Sequence, residues 1–281
     1  MNPITNADIR HHATDIVRQH FGKILPMMLV AAVAPSVIVS LFTAILNAIL
    51  KPTPLRFGPS PFGFYFTPPS VSYVVIMLLG VLLSALVYPA VLLGLYHGIL
   101  NLIRGADASV ADVFSRVGSC LKGFLLSLYV GLRTWLWILP GFVLGILGAA
   151  LSNSFGVFLM MIGVIAMYAL VVPAAFRYCM ALPALADQPD LGVLGAFNRG
   201  KEIMQGRKWQ LFRLLFLYGL LLVGVAVLLS LLMTAVAKST VLLILMSVVA
   251  LVAVVLVGVI ILVAMLTFYG VYADSYGYRP Y

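Results

Sequence analysis

A chain of 281 residues could make one or two soluble domains, but 63% of these residues are hydrophobic, 9% are charged and the mean hydropathy is +1.15. A soluble surface needs roughly a quarter of its residues charged, so the composition excludes a soluble protein and predicts a polytopic membrane protein. The net charge of +9 is not a nucleic-acid footprint, because the basic residues cluster at the ends of long apolar runs, where they meet anionic lipid.

The chain opens with a polar leader, residues 1–23. Within "NADIRHHATDIVRQHFGK", Ile9, Ala13, Ile16 and His20 or Phe21 recur at helical spacing, which predicts an amphipathic helix on the membrane surface. The charges Asp8, Arg10, Asp15 and Arg18, and the length of the apolar run that follows, argue against a cleavable signal.

Six apolar stretches follow: Ile24–Leu50, Val71–Leu102, Phe124–Leu151, Phe155–Leu185, Leu211–Ala237 and Ser239–Tyr269. Each exceeds the roughly 20 helical residues that cross a bilayer, so tilt, kinks or interfacial ends are expected. None shows the alternation of a barrel strand. The fold class is therefore all-α: one domain of six transmembrane helices over residues 1–281, arranged as three hairpins, with amphipathic interfacial helices before spans one, three and five. The outer loop Lys51–Ser70 carries six prolines and five aromatic residues, and we expect it to resist helix and strand alike in favour of extended and turn conformations.

Before span three, "ASVADVFSRVGSCLKG" offers Val110, Val113, Phe114 and Val117 as the apolar face of a second leader. Span three then holds Arg133 in "YVGLRTWLWILPG", eleven residues beyond Lys122. At 1.5 Å per residue that is about 16 Å, close to mid-bilayer. An arginine at that depth costs at least about 2.5 kcal/mol, so it needs partners. No predicted span contains a carboxylate. Carbonyls freed by Pro140 or Pro173, the hydroxyls of Tyr129 or Tyr168, cavity water or a bound anion remain, and Arg177 in span four could line the same cavity. The candidate ligand-binding residues are thus Arg133, Arg177, Tyr129 and Tyr168. Pro35, Pro89, Pro140 and Pro173 should interrupt spans one to four, as in the broken helices of transporters, and Gly94-x-x-x-Gly98 and Gly141-x-x-x-Gly145 allow close helix approach.

The third leader, residues 186–210, contains Pro189 to stop one helix, Asp190 to cap the next, and Leu194, Phe197 and Met204 as its apolar face. Gly206 is its expected C-cap, and Lys201, Arg207, Lys208 and Trp209 are its interfacial, lipid-facing residues. Here "ALADQPDLGVLGAFNRGKEIMQGRKWQLFRLLFLYGLLLVG" resembles an uncharacterised bacterial membrane-protein family, the domain of unknown function nine-seven-five. The family's Leu-Ala-Asp-Asn-Pro falls on Leu185 to Pro189, and its Ser-Lys-x-x-Met-x-Gly-x-Lys-Trp on Gly200, Lys201, Met204, Gly206, Lys208 and Trp209. "RGADASVADVF" (Arg104–Phe114), "LWILPG" (Leu136–Gly141) and the pair Phe268–Tyr269 match further motifs, so the resemblance covers about residues 90–270. About 25 residues are extra between "LPG" and "FRYCMALPALAD", and the family's Gly-Ile-Gly portion is missing from span six. The resemblance implies a six-helix fold in a bacterial inner membrane and carries no activity.

Charge sets the orientation. With the N-terminus in the cytoplasm, twelve of the 17 Lys and Arg residues fall inside, and Lys51, Arg56 and Lys238 fall outside. This positive-inside bias makes both termini cytoplasmic. All eight acidic residues also fall inside, so carboxylate chemistry has no seat in the spans. His11, His12 and His20 are polar-face residues of the leader, His97 is interfacial, and Cys120 and Cys179 are packing residues. No nucleophile, phosphate-loop or metal motif is present. We therefore expect no enzyme and no cofactor. The expected function is a transport, export or immunity-type component of the bacterial cytoplasmic membrane handling an amphiphilic or anionic ligand. The alternative is a structural or regulatory membrane protein binding lipids or a partner through its amphipathic helices. Partners are membrane lipids, a peptide or amphiphile, or another membrane subunit, and not nucleic acid.

Overall fold

The computed structural model describes residues 5–54, 56–60, 63–67, 69–151, 153–235 and 240–274. The first helix, α1 (Asn6–Leu50), starts where Thr5 and Asp8 close a capping box, the Asp8 carboxylate accepting from the Thr5 N–H at 2.9 Å. His20 leaves helical geometry (φ −115°, ψ 18°) and separates the leader from the span. The predicted face Ile9, Ala13 and Ile16 is buried, but inside the protein. Asn6 Nδ2 donates to Gln210 O at 3.1 Å at the head of α8 (Lys208–Ala235), and Arg10 shares a cleft with Leu217 and Tyr218 of α8.

Two short strands, β1 (Arg56–Ser60) and β2 (Gly63–Thr67), pair antiparallel with Arg56 opposite Thr67 and Ser60 opposite Gly63. This corrects the expectation of a loop without strand. A two-stranded sheet consists of edge strands, where proline is tolerated, and aromatic residues favour extended pairing.

Helix α2 (Val71–Ile103) returns, and the second leader is not an α-helix but two 3-10 turns, Val110–Phe114 and Val117–Ser119. Its four apolar residues do not share a face: Val113 is buried while Val110, Phe114 and Val117 are exposed. The reason lies in α2. Gly94 admits the backbone of the turn so closely that a Cβ there would sit 1.9 Å from the Val113 carbonyl oxygen. The turn is thereby seated by its main chain rather than by an apolar stripe.

Span three is likewise divided, into α3 (Cys120–Trp135) and α4 (Leu139–Leu151). Pro140 cannot donate to the Leu136 carbonyl, so the first helix stops before it, and a proline in the opening turn suits the second. By contrast Pro35, Pro89 and Pro173 lie inside helices that run through them, so the expected interruption holds only at Pro140. Helix α4 packs on α5 (Ser154–Tyr178) through bare backbone, with Gly141 against Gly163 and Gly148 against Gly156. This hairpin contains the stretch that the resemblance marks as extra.

A break at Cys179 and Met180 leads to α6 (Ala181–Asp187), then a turn at Pro189–Leu191 and α7 (Gly192–Ile203). Leu191, not Asp190, occupies the N-cap of α7, and no side chain caps it. Phe197 and Met204 are buried as the pattern predicts, but Leu194 is 60% exposed. Gly206 adopts φ +72° past the end of α7, which only glycine does without strain. Helices α8 and α9 (Thr240–Asp274) complete the chain. The basic residues Lys238 and Arg279 of the charge count lie outside the described residues.

Among the described residues, six helical segments are long and apolar enough to cross a membrane. The protein is a multi-pass, all-α membrane protein. Its buried core gathers Ile9, Ile24, Met27, Ile99, Leu100, Leu185, Ile203, Phe268 and Tyr269 from α1, α2, α6, α7 and α9.

Candidate anion-binding site

Helix α3 runs alongside α7 in the same direction, and three contacts show it. Lys122 Nζ donates to Pro189 O at 3.1 Å at one end, and the Tyr129 and Phe197 rings meet edge to face at 4.8 Å in the middle. At the far end Arg133 and Lys201 line one cavity of about 520 Å³. Arg177 from the last turn of α5 lines it as well, together with Tyr178 and Asn198. Three candidate residues, Tyr129, Arg133 and Arg177, therefore converge, and Lys201, assigned from sequence to the interface, joins them.

Aromatic rings hold the two arginines in place. Arg133 Nη2 donates to the Tyr129 hydroxyl at 3.1 Å, and its guanidinium carbon lies 5.5 Å from the centre of that ring. Tyr129 meets Phe197, Phe197 stacks on Tyr178 at 5.0 Å, and Arg177 lies 5.9 Å from the Tyr178 ring. The order Arg133, Tyr129, Phe197, Tyr178, Arg177 is thus a continuous bridge. Ring faces attract a cation without neutralising it, so both guanidinium groups keep their charge and their remaining donors. Of the partners expected for Arg133, the Tyr129 hydroxyl is the one observed. Tyr168 is 69% exposed and does not line the cavity. Among the described residues, no carboxylate, imidazole or thiol is in its wall.

The other interfacial residues lie apart. Arg207 covers the Tyr272 ring at 4.1 Å, while Lys208 and Trp209 border a small cleft with Phe176 and Phe212. A larger cleft of about 820 Å³ between α1, α2 and α3 lies on the opposite face of α3. It is apolar, and the hydroxyls of Ser36 and Ser84 on its wall are used by the Val33 and Val81 carbonyls at 2.8 Å. It carries no charged side chain among the described residues.

One polar cluster was missed from sequence. Arg104, at the end of α2, makes two bonds to the Asp187 carboxylate, at 2.5 and 3.0 Å, and the Tyr269 hydroxyl donates to the same group at 3.1 Å. Asp187 is buried, its side chain 5% exposed. It ties α2, α6 and α9 together. A signal was available: Arg104, Asp187 and Tyr269 belong to three of the motifs that carry the family resemblance, and buried charges seek partners.

A family model described as "Protein of unknown function (DUF975)" matches residues 1–233. The chain belongs to this family. The match begins at the leader, well before the residue 90 expected from the motifs, and ends before α9. Within DUF975, then, both the Arg104–Asp187 tie and the cavity lie in the matched region. No curated protein matches the chain. No solved structure matches it.

Proposed function

We propose that the protein binds an anionic ligand in the cavity formed by Arg133, Arg177 and Lys201. It acts there as a non-enzymatic transport, export or immunity-type component of a bacterial cytoplasmic membrane, with both termini in the cytoplasm. The observation that carries the reading is the convergence of three cations from three helices on one cavity whose wall, among the described residues, holds no carboxylate. Like charges gathered without counter-charge are unfavourable in the empty protein. Such an arrangement is explained by an anion that completes it, and guanidinium forks suit carboxylate or phosphate oxygens. The orientation rests on the charge count along the sequence.

Thermal unfolding in a neutral detergent tests the binding step. Dodecyl phosphate should raise the midpoint of the wild-type protein and leave the Arg133→Gln/Arg177→Gln double variant unmoved. An equal shift in both proteins would end the reading.

The second reading, a regulatory protein that docks on lipids or a partner, has one observation in its favour: the two 3-10 turns before α3 expose Val110, Phe114 and Val117. The leader in α1 and helix α7 favour it less, because Ile9, Ala13, Ile16 and Phe197 are buried inside the protein.

A further inference from the structure

We infer that the anion is the phosphate monoester head of a membrane lipid, which enters the Arg133–Arg177–Lys201 cavity sideways from the bilayer. This rests on the proposed function above and names its ligand. Two features of the cavity separate a lipid from a dissolved anion.

The first is the mouth. On the side of α3 and α4 it is edged by Leu136, Trp137 and Pro140, all exposed and apolar or aromatic. The neighbouring Trp135 and Leu139 are also exposed, 69% and 51%, which extends the apolar edge along both helices. On the side of α7 the mouth is edged by Asn198 and Lys201. A port for a water-soluble anion would be polar all round. An edge apolar on one side and charged on the other matches a molecule whose charged head enters the cavity while its chains remain in lipid. Tyr178 and Phe197 are both buried and close the inner wall with aromatic surface.

The second feature is the number of charges. A phosphate monoester carries about −1.5 to −2 charge near neutral pH and presents three terminal oxygens. A phosphodiester carries a single negative charge and has two such oxygens. The cavity offers three separate cationic groups, one for each oxygen of a monoester. Two are planar forks able to hold two oxygens apiece, and the third, Lys201, supplies a mobile point charge.

The experiment uses the full chain in neutral detergent micelles, with Trp135→Phe and Trp209→Phe so that Trp137, on the cavity wall, is the one fluorescent indole of the three tryptophans. The probes are dioleoylphosphatidic acid, dioleoylphosphatidylglycerol and inorganic phosphate. Phosphatidic acid should bind at least about tenfold more tightly than either of the others, since each additional charge-assisted hydrogen bond is worth about one order of magnitude or more. Arg177→Gln should weaken it about tenfold, with Arg177→Lys retaining part of the affinity. Equal binding of phosphatidylglycerol would overturn the monoester. Binding of inorganic phosphate as tight as that of phosphatidic acid would overturn the lipid while leaving the anion site standing. If none of the three changes the fluorescence of the wild-type background, both this inference and the function it rests on fall.

Discussion

Arg104 and Arg133 are the same residue in two opposite settings. Arg104 makes a bidentate pair with a buried carboxylate that a tyrosine also contacts, and so joins α2, α6 and α9. Arg133 meets a phenol hydroxyl and a ring face, and shares its cavity with two more cations. The first arrangement already holds its counter-charge. The second, on the proposed function, is completed by an anion. If the proposed function holds, a cation that builds a fold and a cation that takes a ligand are told apart by whether their surroundings already hold the opposite charge.

That comparison breaks most decisively at Asp187. Replacing it with alanine leaves Arg104 largely buried without its carboxylate, which costs about 3 kcal/mol or more, and also removes the acceptor of Tyr269. Thermal unfolding of Asp187→Ala in detergent should show a larger loss than substitution at Gly200, Lys23 or Arg133. Asp187→Asn, which keeps an acceptor but no charge, should lose less. A wild-type midpoint for Asp187→Ala would remove the tie from the account of the fold.

Next in size is Gly200. A Cβ there would lie 2.6 Å from the Ala181 nitrogen and 2.7 Å from the Met180 carbonyl carbon, and these are backbone atoms that cannot rotate away. Gly200→Ala should cost about 1–3 kcal/mol through overpacking. It should also push α7 outward with Phe197, Asn198 and Lys201, so stability and dodecyl phosphate binding fall together. Loss of stability with unchanged binding would show that the cavity does not depend on the seating of α7.

Much of this was legible in the sequence, and what escaped has physical causes. The six spans follow from apolar run length, since a bilayer imposes one length on every crossing. The sharing of a cavity by Arg133 and Arg177 was anticipated from their lack of carboxylates. Lys201 and Asn198 were not placed there, because the alignment of α7 along α3 depends on Gly200 meeting a backbone turn from α6, a long-range contact with no local signature. The second leader failed for a related reason. Its spacing suggested a helix, but Gly94 offers a seat for main chain, and the tertiary contact overrides a weak local pattern. Asp187 was not paired from sequence, because its partner Arg104 is 83 residues away and leaves no local signature.

Lys23 and Asp107 form a smaller case, an ion pair between α1 and the loop after α2 with both side chains well exposed. The hydrogen bond and charge of Lys23 hold the Asp107 carboxyl below its usual range. A depressed carboxyl contributes stability above its unfolded value, near pH 4, and loses it as the pH falls through the folded value. Lys23→Met should therefore differ from the wild type only marginally at pH 7, as exposed pairs do, and that difference should shrink as the pH falls below about 4. A large difference at pH 7 would mean that this surface contact bears on the fold as the Arg104 pair does.

The smallest effect on stability, and one of opposite sign, is expected at Arg133. Removing one of three like charges from a cavity relieves repulsion in the empty protein, so Arg133→Gln should unfold at the wild-type temperature or slightly above it. The Tyr129 hydroxyl loses a donor by this change but lies in a partly open wall, where water can replace it. The same variant should lose the shift that dodecyl phosphate gives the wild type. Raising the salt concentration should bring the two proteins together, since screening weakens the repulsion in one and the attraction of the ligand in the other. If Arg133→Gln instead unfolds well below the wild type, Arg133 is a structural residue like Arg104, and the contrast between the two arginines does not hold.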